Sequence, residues 1–374
     1  MHIHAFQAVY PNLDYITSPD LFFNTVREEY PEQKASGIYQ RAASEGMYIY
    51  QIQEQGRSFT GVVACADIQD YFDGRIKKHE HTLASKEQQQ LNLLMRRQAT
   101  IKPVLLTYPP VQAIEDLLLR ITQTEQPFLS LRFEEQREVH TLWAVREGVQ
   151  LQQLQQLFLH EVPYTYIADG HHRCSTMALM HRRLEGLEKE RPVLTSLMSA
   201  FFASSELEIL EFNRTVEILQ EISAPMLVVR LSQIADIDVL PGPEKPRRKH
   251  EVAMLLDKQW YMLRWKGNIL DLYRQEVVVL DVQLLNELVF ERIMGIQDVR
   301  TDERVRYVEG SLGLDMLRER VIKDDHRVGF ALYPVDMHDF MSVADAEQVL
   351  PPKSTWFEPR MRNGLLVQEI EIGK

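Results

Sequence analysis

Tyr164-Thr165-Tyr166-Ile167-Ala168-Asp169-Gly170-His171-His172-Arg173 is the stretch on which the reading of this chain turns. Its first five residues are aromatic, β-branched or small and read as a strand. Asp169-Gly170 breaks the run. From Ser175 to Leu187, apolar residues then return at Met177, Leu179, Met180, Leu184 and Leu187, an imperfect helical period. The spacing predicts a strand that turns directly into a helix. Backbone amides at a helix N-terminus lack intrahelical partners and carry the positive end of the macrodipole, so an anion is their natural guest. Gly170 permits a tight turn, Arg173 can grip two phosphate oxygens, and His171 or His172 can donate a hydrogen bond or move a proton. Asp169 could orient an imidazole or hold magnesium. An N-cap aspartate followed by surface histidines fits the same residues.

Working outward, Met47-Tyr48-Ile49-Tyr50-Gln51-Ile52 and Thr60-Gly61-Val62-Val63-Ala64-Cys65-Ala66 flank the turn-forming Gln55-Gly56-Arg57-Ser58 and predict a hairpin. Ser85 to Arg97, with Leu91, Leu94 and Met95 on one face, predicts a helix. Lys102 to Tyr108 reads as a buried strand ended by Pro109-Pro110. Further strands are expected at Glu251 to Leu256 and Trp260 to Trp265. The stretch from Pro241 to His250 is polar and bears prolines, which suggests an exposed loop between hairpin-like strands. Together these segments predict an α+β fold with a mixed or antiparallel sheet, flanking helices and an additional C-terminal β-containing region. Three parts are expected, at 1–110, 111–225 and 226–374.

At 374 residues the chain is long for one core, so more than one packed unit is expected. Apolar residues at 45% and charged residues at 26% place it among folded rather than disordered proteins. A formal net charge of -12 argues against a broad nucleic-acid footprint, and the basic cluster at Lys245 to His250 is read as a solvated face. Two cysteines, Cys65 and Cys174, predict no structural disulfide. With no apolar run of membrane length and no charged-then-apolar start, the expectation is a cytoplasmic protein without a membrane partner.

Two other clusters carry candidate chemistry. Lys77-Lys78-His79-Glu80-His81-Thr82 precedes a helix start, and Lys353-Ser354-Thr355-Trp356-Phe357-Glu358-Pro359 combines a charge, two hydroxyls and a stacking ring before Gly364-Leu365. Each alone also fits an exposed loop or an edge strand. With Ile76-Lys77-Lys78-His79-Glu80-His81-Thr82 first, Ala168 to Arg173 next and Lys353 to Pro359 last, the chain resembles the family catalogued as domain of unknown function 1015. It departs from that family's Pro-x-His-Arg at Glu211-Phe212-Asn213-Arg214, where Asn213 stands for histidine, and Phe6 to Pro11 lacks an arginine.

More distantly, the D-G-H-H-R turn resembles the phosphate-binding turn of the ParB, sulfiredoxin and free-serine-kinase superfamily. That resemblance implies a ParB/sulfiredoxin-like strand-turn-helix phosphate site. Cys174 falls one residue beyond Arg173 and not at the sulfiredoxin cysteine position, so it is read as a small buried residue.

The implied activity is nucleotide-dependent phosphotransfer to a hydroxyl-bearing metabolite, with ATP or ADP and magnesium. Nucleotide and small metabolite are then the partners. In that reading Gly170, His171, His172, Arg173, Lys353 and Ser354 hold phosphate or nucleotide. His172 contacts the transferring group, Asp169 orients His171 or the metal, and Glu80 is the base, placed by order and neighbourhood. His79, Thr82, Arg214, Thr355 and Trp356 line the substrate pocket. Two alternatives follow from the same residues: a nucleotide or phosphometabolite sensor of ParB-like type, and a metal-dependent hydrolase using His79, His81, Asp169 and His171 with His172.

Overall fold

The hairpin forms as expected, with Met47–Glu54 antiparallel to Arg57–Asp67. Gln55 and Gly56, both at positive φ, make the two-residue turn that matches strand twist. A computed structural model describes residues 1–146, 148–185 and 195–370. Among them the chain divides into two compact units, residues 1–208 with 359–374 and residues 209–358. The first unit takes strands from both sides of residue 110, and the second begins inside the expected central part.

The first unit is built on a mixed nine-stranded sheet. Its order is Ile76–Lys77, Thr165–Asp169, Val104–Tyr108, Ser196–Ala203, Arg57–Asp67, Met47–Glu54, Glu138–Val145 and Leu129–Phe133, with Ile3–His4 also on Arg57–Asp67. Two neighbouring pairs are parallel, Ile76–Lys77 with Thr165–Asp169 and Val104–Tyr108 with Ser196–Ala203. Val104–Tyr108 is buried throughout, which explains its unbroken apolar run. Leu106, Ile167 and Phe201 of the sheet share one core with Leu117, Ile121, Leu154 and Phe158 from helices Gln112–Thr124 and Val149–Glu161. Each such side chain stabilises the fold by about 1.5–3 kcal/mol relative to exposure.

Helix Ala84–Arg97 adds Leu91 and Leu94 to that core, whereas Met95 is exposed. Helix His171–Glu185 adds Cys174, Met177 and Met180, and Leu187 lies outside the described residues. Cys65 and Cys174 are free and buried. No described helix is long and apolar enough to cross a membrane.

The second unit holds an antiparallel six-stranded sheet ordered Ala235–Leu240, Gln259–Trp265, Glu251–Leu256, Arg327–Leu332, Phe212–Glu217, Val305–Glu309. Helix Gly313–Ile322 packs Leu317 and Val321 against Ala253, Val308 and Ala331. The 241–250 loop therefore joins two strands that each flank Gln259–Trp265, not the two arms of one hairpin. Its basic residues are paired: Lys245 with Glu211, Arg247 with Glu244, Arg248 with Glu251, and Lys249 with Asp336 and Asp339.

Candidate functional site

The strand Thr165–Asp169 ends in a bulge. Ile167 opposes Leu106 and Asp169 opposes Leu105, so Ala168 is the extra residue and re-aims the Asp169 side chain. Gly170, at φ +109°, then caps helix His171–Glu185, its carbonyl accepting from the Arg173 and Cys174 amides at 2.9 and 3.0 Å. The aspartate is therefore not the cap. It accepts instead from Arg173 Nη2 at 2.9 Å, and Lys102 Nζ lies 3.2 Å from the same oxygen. A Cβ on Gly170 would fall 2.6–3.0 Å from the Arg173 guanidinium, so glycine is what lets the arginine fold back over the turn.

Burial pushes the Asp169 carboxyl up, but the Arg173, Lys102 and Arg360 charges outweigh it and hold the group far below the usual carboxylate range. Three cations around one carboxylate do not fit a magnesium ligand. A divalent ion there would have to displace Lys102 and Arg173, so Asp169 is corrected from metal ligand to counter-ion. Its close contacts are Arg173 and Lys102, and it acts on His171 as a nearby negative charge.

The neighbours of His171 come from the H-E segment. Parallel pairing of Thr165 with Ile76 and Tyr166 with Lys77 carries residues 79 and 80 to the level of the turn. The His79 amide donates to His171 Nε2 at 3.4 Å, which leaves the proton on Nδ1, and Glu80 Oε2 lies 3.7 Å from that Nδ1. The two rings meet edge to face at 4.3 Å. Burial pushes His171 down to about 3 and His79 well below the ordinary imidazole value. His171 is thus a neutral donor aimed at Glu80, whose side chain is 51% exposed. His79 is buried, with its amide on His171.

His172 points elsewhere. Burial lowers its value, with Lys86, Glu87 and Arg173 as its charged neighbours. Thr82 spends its hydroxyl on Glu87 at 2.6 Å. The hydrolase set does not assemble, since His79 is buried while His81 is exposed. Among the described residues, the one group with metal-ligand atoms within 4.8 Å of one another is Asp336, His338 and Asp339. Lys249 holds its two carboxylates at 2.6 and 2.5 Å.

Five further candidates belong to the second unit. Lys353 Nζ sits 4.8 Å from the centroid of the Phe212 ring, and Trp356 packs edge-on against the same ring at 5.6 Å. Ser354 donates to the Pro351 carbonyl at 2.5 Å, and Thr355 is half-buried between these two contacts. Arg214, expected in the substrate pocket, is 1% exposed and donates to the carbonyls of Phe212 and of Lys353, the latter at 2.8 Å. It is corrected to a positioning residue that holds Lys353 at φ +56°. Asn213 is structural here, accepting from the Leu332 amide at 3.1 Å.

This chain belongs to the family described as protein of unknown function (DUF1015). That family's sequence pattern matches residues 10–283. No curated protein matches the chain. Similar solved structures include a free serine kinase variant in complex with ADP, at 13% identity over 81% of this chain and 92% of that one, with a TM-score of 0.39. SbnI with C-terminal truncation from Staphylococcus aureus is 11% identical over 82% and 87%, with a TM-score of 0.42. A conserved hypothetical protein from Pyrococcus furiosus is 11% identical over 81% and 95%, with a TM-score of 0.38.

Lys102, Arg360, Arg27 and Arg97 were not singled out from sequence. Arg360 directly follows the K-S-T-W-F-E-P segment, which was a usable signal; Lys102, placed at a strand start, carried none.

Histidines held neutral make stability depend on pH. His79, His140 and His171 are pushed down by burial, so the unfolded chain binds protons that the folded one refuses. Their contribution is present above about pH 6.5 and is lost as pH falls below it, with a slope of up to about 1.4 kcal/mol per pH unit for each. The urea midpoint should therefore drop steadily from pH 7 to pH 5. A flat profile over that range would mean these rings are charged in the fold.

Proposed function

We propose that the chain transfers a phosphoryl group from a nucleoside phosphate to the hydroxyl of a small metabolite. What carries the reading is one juxtaposition: the Glu80 carboxylate stands 3.7 Å from the Nδ1 donor of His171, the first residue of a helix whose Gly170 cap and Arg173 form an anion seat. Its likeness to the free-serine-kinase turn supports the same chemistry.

In the step itself the substrate oxygen bonds to phosphorus while its proton passes to Glu80. The bridging bond of the donor breaks, and its electron pair leaves on the remaining nucleotide phosphate. That charge is met by Arg173 and the helix amides. Neutral His171 faces Glu80 without protonating it. ATP or ADP serves as donor.

Phosphorus NMR of the full chain with ATP or ADP and a panel of hydroxyl metabolites tests the reading by appearance of a phosphate ester. Arg173→Ala should weaken ADP at least about tenfold, since one charge-assisted hydrogen bond is worth about 1.5–3 kcal/mol. Arg173 is only 22% exposed and bound to Asp169, so some stability is lost with it. Tight ADP binding with no ester from any acceptor would make the site a sensor.

A further inference from the structure

Beside the turn, within the first unit, lies a cavity of about 240 Å³. Four cations line it, Arg27, Arg97, Lys102 and Arg173, and among the described residues no carboxylate does. Lys102 and Arg173 share the single carboxylate of Asp169 with Arg360. Arg27 pairs loosely with Glu28 at 3.6 Å. Arg97 donates from Nη2 to the Arg27 carbonyl, while its Nε–H and that of Arg173 are buried and meet no acceptor among the described residues.

Gathering four like charges costs free energy through mutual repulsion and lost hydration, and burial accordingly pulls Arg97 and Lys102 downward. Asp169 and Glu28 act on them, two carboxylates against four cations. The remaining walls include Leu94, Met177 and the Gln90 amide, so the cavity also accommodates carbon. One phosphate would engage Arg173 and Lys102 and leave Arg27 and Arg97 to share the Glu28 carboxylate.

We infer that this cavity binds a small organophosphate carrying at least two anionic groups, with Arg173 shared between cavity and turn. The inference rests on the reading of the turn as a phosphate seat. It deepens that reading by giving the ligand's charge and the residues that count it. Arg27 and Arg97 answer the second anionic group, and Leu94 and Met177 face the carbon body. Cations focused in a cleft of an acidic protein also select small anions over large polyanions, which the rest of the surface repels.

Calorimetric titration of the full chain at fixed ionic strength, with inorganic phosphate, pyrophosphate and ADP as probes, tests it. Pyrophosphate and ADP should bind more tightly than phosphate. Pyrophosphate equal to ADP supports a cavity reading the two charges alone, and tighter ADP supports one that reads the carbon body as well. Gln90→Glu, which keeps side-chain shape and adds one negative charge to the wall, should weaken both by about tenfold or more. Arg97→Met should do the same. If Arg97→Met fails to fold, the isosteric Gln90→Glu carries the test. Affinities unchanged in Gln90→Glu, or equal binding of all three probes, would overturn the inference even if the wild type makes a phosphate ester. Conversely, charge-dependent binding with no ester formed would leave this inference standing and remove the phosphotransferase.

Discussion

Glu80→Gln should lower phosphotransfer by about a hundredfold or more while ADP binds as before, because it keeps the side-chain shape and removes only the basic oxygen. The carboxylate is 51% exposed, and the His79 amide still holds His171 from the other side. The His171 Nδ1–H would then face an amide oxygen, so the ring keeps its tautomer. Normal turnover in the variant would remove Glu80 from the mechanism. Lost ADP affinity would instead place it in nucleotide binding.

Asp169→Asn should separate stability from anion affinity, moving them in opposite directions. Breaking a buried ion pair costs about 3–5 kcal/mol, which solvent screening of a carboxylate 34% exposed reduces here to about 2–4 kcal/mol. Lys102, Arg173 and Arg360 would be left facing one another. Phosphate competes with Asp169 for Arg173, so the same variant should bind ADP several-fold more tightly, about 1 kcal/mol by the usual worth of one hydrogen bond. The Asp169 contribution is present above the unfolded carboxyl value of about 4 and is lost as pH falls through the depressed folded value. Acid unfolding below about pH 4 should therefore be shallower in the variant than in the wild type. Chemical denaturation against pH and ADP titration together check all three, and a variant both stable and weaker in ADP binding would show that Asp169 touches the ligand.

What the sequence by itself determined is local. The Gln55-Gly56 hairpin, the helix beginning at residue 84, the buried strand at 104–108 and the strand-turn-helix at Asp169-Gly170 all follow from turn chemistry and periodicity over a few residues. Motif order placed Glu80 and Arg173 in one candidate site. Only the tertiary structure decided how they meet. A two-residue parallel pairing, Ile76–Lys77 on Thr165–Asp169, brings Glu80 to His171 across more than ninety positions of chain, and no local pattern encodes that register. It also decided that Asp169 answers Lys102 and Arg360 rather than a metal, and that Arg214 serves the Lys353 backbone. Charge pairing depends on distance in space, and the residues concerned are separated by scores of positions whose own preferences say nothing of one another.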